Sequence, residues 1–153
     1  MIIISHRGNL EGPNPQKENH PEYVDRALGL GFDAEVDVWV LGDDIFLGHD
    51  SPEFRVDLSW FFDRCRNVWI HCKNLESLSY FCSISSQKDF DWKCKYNYFW
   101  HQSDLATLTS AGFMWVYPGN QPIRGSVAVL PEIQGEDTTG CYAVCTDYVY
   151  RYL

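Results

Sequence analysis

The apolar residues of this chain fall into short runs, and this pattern limits the folds that the chain can adopt. Eight runs are rich in Val, Ile and aromatic residues, which a half-buried pleated surface favours. We expect these runs to be β-strands at residues 2–5, 34–40, 45–47, 68–72, 98–100, 114–117, 127–130 and 142–145. The protein should therefore be built around a sheet.

Helical patterns lie between several of these strands. Helical spacing of apolar residues predicts helices over 22–30, from residue 58 to about 65, over about 75–83, and over 103–110. Asn19, Asp57 and Ser103 are the residues expected to cap three of them. Alternation of strands and helices is typical of a parallel sheet with crossover helices.

The later connections, 119–126 and 134–140, are too short or too polar for helices. With 153 residues the chain suits one domain, 1–153. Eight strands with about four helices predict an α/β fold, a compact, stripped-down TIM-type (β/α)8 barrel with several helices shortened or missing. An open mixed sheet is the alternative, and periodicity does not separate the two.

The net charge and the cysteine content limit which classes of partner and which cellular compartment we expect for this protein. Twelve basic residues face 21 acidic ones, a formal charge of −9, which argues against nucleic acid or an anionic membrane as the main partner. No apolar run approaches the ~20 residues of a transmembrane segment, and the first residues do not resemble a signal peptide. The six cysteines include no Cys-x-x-Cys pair. We therefore expect reduced thiols in a cytoplasmic protein.

Polar residues capable of chemistry collect at the carboxyl ends of the predicted strands. Parallel α/β folds place their functional sites at this end. Isolated residues of these types are more often structural, but their convergence favours a site. The residues at or just after strand ends are His6, Arg7, His49, Asp50, His71, Lys73, His101, Glu132, Thr146 and Asp147.

The second predicted strand carries two carboxylates on one face. Glu35, Asp37 and Trp39 share this face because side chains alternate along a strand, and valines occupy the other face. Two carboxylates in an apolar strand repel each other and lose hydration. A divalent ion such as Mg²⁺ or Ca²⁺, which prefers oxygen ligands, would remove that cost. The alternative is a pair of exposed charges on an edge strand.

These motifs together resemble the glycerophosphodiester phosphodiesterase family, within a superfamily of phospholipase C-like phosphodiesterases. The family opens with His-Arg-Gly and continues with Pro-Glu-Asn before the first helix, where this chain has Lys17 in place of the Pro. Glu-x-Asp-Val on the second strand and then His-Asp follow. The matching positions are His6-Arg7-Gly8, Glu18-Asn19, Glu35-Val36-Asp37-Val38 and His49-Asp50, with Thr146-Asp147 similar to a Thr-Asp near the family's last strand. The similarity is specific over the first 50 residues and weak beyond them.

The resemblance implies a metal-dependent phosphodiester hydrolase that acts on a small molecule or a lipid headgroup. It assigns Glu35 and Asp37 to a divalent metal, with Glu18 nearby, and His6 and His49 to acid–base catalysis. Arg7 would hold the phosphate and Lys73 would add positive charge. Trp39, which shares a face with the carboxylates, would contact the substrate's alcohol.

The chain departs from the family pattern at the third acidic ligand, which falls at His71. An imidazole in this position shifts metal preference toward Mn²⁺ or Zn²⁺, and Glu132 would supply the missing carboxylate. Two other functions stay open on these residues. One is a non-catalytic barrel that binds phosphate, and the other is a lyase that releases a cyclic phosphate.

Overall fold

The computed structural model describes residues 1–86 and 94–153 and consists mainly of β-sheet. Ten strands are present in the described residues: Ile2–His6 (β1), Asp33–Leu41 (β2), Asp44–Leu47 (β3), Phe54–Val56 (β4), Val68–Cys72 (β5), Asn97–Trp100 (β6), Ala106–Leu108 (β7), Met114–Val116 (β8), Val127–Val129 (β9) and Ala143–Thr146 (β10). The α-helices are Pro21–Gly29 (α1), Leu58–Phe62 (α2) and Leu75–Ser85 (α3). Two 3₁₀ turns span Pro131–Ile133 and Val149–Tyr152.

Seven strands form a parallel series in the order β6-β5-β2-β1-β10-β9-β8. The second half of β2 also pairs with antiparallel β3, which pairs with β4. At the other edge, β7 runs antiparallel to β8. The sheet curls so that its two edges approach each other. Ser110, just after β7, donates its backbone N–H to the carbonyl of Tyr98 in β6. The result is a curled, mixed sheet.

The two faces of the sheet bury different cores. The valines of β2 pack on the convex face against residues of the helices, Val24 of α1, Phe61 of α2 and Phe81 of α3 among them. The concave face is filled by Ile4, Trp69, Phe99, Trp115, Val127, Val129, Ala143 and Cys145. Branched and aromatic side chains suit both faces, because each stands perpendicular to the pleat. The polar side chains described below lie at the ends of the concave face.

The predicted TIM-type (β/α)8 barrel is wrong. A barrel of that type has a helix after each strand, whereas the described residues contain only three short α-helices and the sheet is mixed. The helix predicted over 103–110 is a strand instead: β7 pairs Ala106 with Val116, and the β-branched Thr107 fits that pairing. The alternative of a mixed sheet is nearer to the structure.

The eight predicted strands are present with shifts of at most one residue at their ends, and β4 and β7 are additional. Three of the four predicted helices are present. Asn19 does not cap α1, because His20 holds the cap position and accepts from the backbone N–H of Glu22. Asp57 holds the cap position of α2 without a side-chain hydrogen bond to the helix.

Two of the six cysteines form a disulfide, so the prediction of reduced thiols is wrong for this pair. Cys65 follows α2 and Cys94 precedes β6, and their Cα atoms lie 5.6 Å apart. Cys72 and Cys145 are free and fully buried, as expected for core residues. Within the described ranges no helix has the length and apolar character needed to cross a bilayer.

Candidate metal and phosphate site

A cavity of about 270 Å³ opens at the carboxyl ends of the parallel strands. It brings together most of the side chains that the sequence singles out. Its lining includes His6, Arg7, Glu35, His49, His71, Lys73, His101, Gln102, Trp115 and Tyr117. The structure therefore brings these strand-end residues together, although the fold around them differs from the predicted barrel.

Glu35, Asp37 and His71 form the centre of this site. Alternation along β2 directs both carboxylates to the concave face, and the register of β2 with β5 pairs Asp37 with His71. One ligand atom from each of the three residues lies within 4.8 Å of the others. The His71 Nδ1 atom is 3.0 Å from Asp37 Oδ1 and 3.7 Å from Glu35 Oε1. The His71 ring stacks on Phe99, with 5.0 Å between centroids.

Asp37 is fully buried and surrounded by positive groups. Its carboxylate lies 2.9 Å from Arg7 Nε and 3.4 Å from Lys73 Nζ. Asn19 donates to Asp37 Oδ2 and accepts from the Asp37 backbone N–H. Burial raises the pKa of Asp37, but the hydrogen bond to His71 and the charges of Arg7 and Lys73 outweigh burial and lower it far below its usual range. These groups therefore favour the charged form of Asp37.

Glu35 is equally buried but has far less compensation. Burial raises the pKa of Glu35, and the negative charge of Asp37 raises it further. Its Oε2 atom has no hydrogen-bond partner in the described structure and lies 4.0 Å from His6 Nε2. A buried carboxylate oxygen without a partner is rare and costly. This orphaned oxygen beside a second carboxylate is the kind of position that a cation fills.

The donor set therefore fits a divalent ion. Glu35 and Asp37 offer oxygen atoms, which Mg²⁺ and Ca²⁺ prefer, while the imidazole of His71 also suits Mn²⁺ and Zn²⁺. Three protein ligands leave room for water or substrate in the remaining positions.

His6 is held by a carboxylate on its far side. Its Nδ1 atom is 2.8 Å from Asp147 Oδ1, and Asn9 donates to the same oxygen at 2.8 Å. Burial lowers the pKa of His6, but the hydrogen bond to Asp147 and the charge of Glu35 outweigh burial and raise it above its ordinary value. Asp147 thereby fixes the proton on Nδ1 and directs Nε2 toward the cavity.

His49 approaches the cavity from a tight turn after β3. Gly48 has φ 151°, and a Cβ atom there would clash with the Ser51 carbonyl. Trp39 Nε1 donates to the Gly48 carbonyl at 2.7 Å, so Trp39 supports this turn and does not line the cavity. Partial burial lowers the pKa of His49, and the positive charges of Arg7 and Lys73 act in the same direction.

The two remaining carboxylates assigned to the metal make other contacts. Glu18 accepts hydrogen bonds from Arg7 at 3.1 Å and from Asn9 at 2.9 Å. These contacts place it beside the central cluster and not within it. Glu132, on the first 3₁₀ turn, accepts from the Thr146 hydroxyl and the Asp147 backbone N–H. Neither is part of the group of potential metal ligands.

Several residues that support the site have no specific role assigned to them in the sequence interpretation. Asn9 carries no signal, and Asn19 is predicted as a helix cap. Asp147 follows the last strand, so its position at a strand end is the available signal. His101 shares the concave face with Phe99, and burial together with the charge of His71 lowers its pKa to about 4. It is therefore neutral near pH 7.

Comparisons with protein-family models, with curated proteins and with solved structures find no match to this chain.

Proposed function

We propose that this protein is a metal-dependent phosphodiester hydrolase that acts on a small-molecule phosphodiester of the glycerophosphodiester type. The observation that carries the proposal is the orphaned carboxylate oxygen of Glu35 beside Asp37 and His71, with Arg7 and Lys73 next to them. This arrangement joins a cation site to an anion site in one cavity. The resemblance in the first 50 residues supports the same activity.

Charge favours a cation as part of the working site. Four carboxylates face two basic side chains, so the net charge is −2 when the imidazoles are neutral; the six residues are Glu18, Glu35, Asp37, Asp147, Arg7 and Lys73. The net negative charge of this cluster disfavours binding of a phosphodiester anion. A divalent ion restores neutrality and allows the substrate to enter.

Glu35, Asp37 and His71 would hold the ion, which supplies positive charge to the phosphoryl oxygens and lowers the pKa of bound water. Arg7 orients the phosphate, because its guanidinium fork offers donors in a fixed geometry. Lys73 contributes a point charge. Asp37 and Glu18 anchor Arg7 before substrate arrives, which reduces the entropy lost on binding.

The opposite pKa shifts of the two histidines support distinct roles. The lowered pKa of His49 keeps its imidazole neutral, so His49 accepts the proton of the attacking hydroxyl as general base. The raised pKa of His6 keeps its imidazole protonated in more molecules, so His6 donates a proton to the leaving alkoxide. Each role is typically worth roughly 10²–10⁴-fold in rate.

A second function has one observation in its favour. Asp37 is already surrounded by Arg7, Lys73 and His71 without any ion. A site in which these contacts persist would bind phosphate without turning over a diester. Binding of glycerol phosphate without hydrolysis of any diester would indicate this function.

Phosphorus NMR of the full chain with glycerophosphocholine tests the proposal. We expect a phosphomonoester resonance to grow with Mg²⁺, Ca²⁺, Mn²⁺ or Zn²⁺ and to stop growing with EDTA. A persistent cyclic-phosphate resonance would identify a lyase instead. Turnover that continues undiminished in EDTA would exclude the metal role.

Matched variants separate the site from general effects of charge. Glu35→Gln with Asp37→Asn should abolish turnover and metal binding. Asp43→Asn with Glu76→Gln makes the same charge change at two exposed positions and should keep both. Equal activity of the two double variants would refute the assignment of Glu35 and Asp37.

A further inference from the structure

A second cavity lies at the opposite end of the concave face, where the parallel strands begin. Its volume is about 360 Å³, at the lower end of the range for small-molecule sites. We call it the amino-end pocket, and its walls include Arg66, Trp69, Lys95, Asn97, Phe113 and Tyr142. Nothing in the proposed hydrolysis uses these residues.

A layer of buried aromatic residues separates the two cavities. Asn97 precedes His101 by four residues, so the two positions lie roughly 13 Å apart along the strand direction. Phe99 and Trp115 fill the space between them, with ring centroids 4.6 Å apart, and Trp69 lies 5.7 Å from Trp115. The amino-end pocket is therefore a separate site.

Aromatic rings line one side of the pocket. Phe113 and Tyr142 stack with centroids 4.6 Å apart and ring planes inclined by 20°. Trp69 adds a third ring 5.3 Å from Phe113. Tyr142 is 39% exposed, so a ligand can reach this surface. A planar apolar group packs well on such a wall.

The polar groups of the pocket differ in how well they are satisfied. The Asp33 carboxylate accepts from Asn67 Nδ2 at 2.7 Å and from Trp69 Nε1 at 3.0 Å. The Asn97 Oδ1 atom is buried and has no hydrogen-bond partner among the described residues. Buried amide oxygens normally accept a hydrogen bond. Asn97 therefore presents an unused acceptor to the pocket.

Two cations complete the pocket. Arg66 and Lys95 are exposed where they line it, and neither forms an ion pair within residues 1–86 and 94–153. With Asp33 as the single carboxylate in the lining, the pocket has a net positive charge. It therefore complements an anion, in contrast to the acidic chain as a whole.

We propose that the amino-end pocket binds a small aromatic anion that carries a ring hydroxyl or amino group. The ring packs on Phe113 and Tyr142, and the anionic group faces Arg66 and Lys95. The ring hydroxyl or amino group donates a hydrogen bond to Asn97 Oδ1. All three features of the ligand follow from the wall, the charge and the unused acceptor described above.

Heteronuclear NMR titration of the full chain with 4-hydroxybenzoate tests this proposal, and benzoate and phenol serve as probes that each lack one group. The indole N–H of Trp69, which bonds to Asp33, reports on the amino-end pocket, and that of Trp115 reports on the candidate metal site. We expect the Trp69 signal to shift. Loss of one hydrogen bond corresponds to roughly 2–10-fold in affinity, so benzoate and phenol should each bind more weakly than 4-hydroxybenzoate.

Variants identify the contacts. Asn97→Leu should remove the preference for 4-hydroxybenzoate over benzoate while benzoate still binds. Arg66→Gln, at an exposed position that does not endanger folding, should weaken binding of both acids but not of phenol. Arg124→Gln is a matched control, because Arg124 is an exposed arginine outside the pocket.

Three results would overturn the proposal. The first is an unchanged Trp69 signal at high 4-hydroxybenzoate concentration. The second is a shift confined to Trp115. The third is an Arg66→Gln variant that binds both acids as tightly as the Arg124→Gln control.

Discussion

Glu35 and Asp37 should differ in how much stability is lost when each is replaced by its amide in metal-free protein. Asp37→Asn removes the anion that holds Arg7 at 2.9 Å and Lys73 at 3.4 Å. Breaking a buried ion pair by removing one partner costs about 3–5 kcal/mol. Both cations are 17% exposed, and Arg7 keeps its ion pair with Glu18. We therefore expect a loss of stability at the lower end of this range, about 3 kcal/mol.

Glu35→Gln should cost little under the same conditions. Glu35 Oε2 has no hydrogen-bond partner in the described structure, and burial and Asp37 disfavour its charge. Removing a polar group that is unpaired loses no hydrogen bond, so we expect stability within about 1 kcal/mol of wild type. The two variants should thus differ by about 2–4 kcal/mol although they remove the same charge.

Urea denaturation in EDTA near neutral pH measures this difference. With an m value of about 2 kcal/mol per molar urea, Asp37→Asn should lower the midpoint by roughly 1.5 M. The m values should stay equal. Equal losses for Glu35→Gln and Asp37→Asn would refute the view that only Asp37 is compensated by the protein itself.

The pH dependence of the same experiment follows from the pKa shifts. The lowered pKa of Asp37 contributes stability that is present above its unfolded value, about 3.9, and is lost as pH falls toward the folded value. The raised pKa of Glu35 has the opposite sign: its stability contribution is present below about 4.3 and is lost as pH rises through the folded value. Any gain in stability of Glu35→Gln over wild type at neutral pH should therefore disappear in acid.

Four further predictions use other parts of the molecule. A divalent ion at about 100 times its Kd should raise Tm by roughly 5–11 °C in a thermal scan of wild type, and by nothing in the Glu35→Gln/Asp37→Asn variant. Gly48→Ala should cost at least about 1–3 kcal/mol in urea denaturation, because its Cβ would meet the Ser51 carbonyl. Phe99→Ala should cost about 3–5 kcal/mol in the same assay, since Phe99 is 2% exposed. Reduction of Cys65–Cys94, 29 residues apart, should cost about 3–4 kcal/mol, and a reductant without effect on Tm would show that the bridge is absent.

The central strands are predictable because their local signals agree with the tertiary structure. β2 alternates valine with polar residues over most of its length, so the amino-acid sequence alone assigns Glu35 and Asp37 to one face. The register with β5 then brings His71 to Asp37. The position of residues at strand ends and the alternation of side chains along each strand are sufficient to predict this part of the site.

The parts that failed depend on contacts between distant segments. The segment before β8 has apolar residues at helical spacing, but pairing with β8 makes Ala106–Leu108 a strand, and no local pattern encodes that partner. Asn19 has the residue type of a helix cap, yet its side chain bonds to Asp37, 18 residues away. The disulfide between Cys65 and Cys94 equally depends on folding.

The missing helices explain why a short chain can still build this site. All three potential metal ligands lie on β2 and β5, and these strands pack on their convex side against α1, α2 and α3. The half of the sheet formed by β8, β9 and β10 has no α-helix following its strands in the described residues. That half contributes Asp147 and Tyr117, which make direct or ring contacts to histidines and do not belong to the cluster of potential metal ligands. Rigid support is therefore concentrated where two buried carboxylates must be held together, since precise positioning matters most for metal ligands.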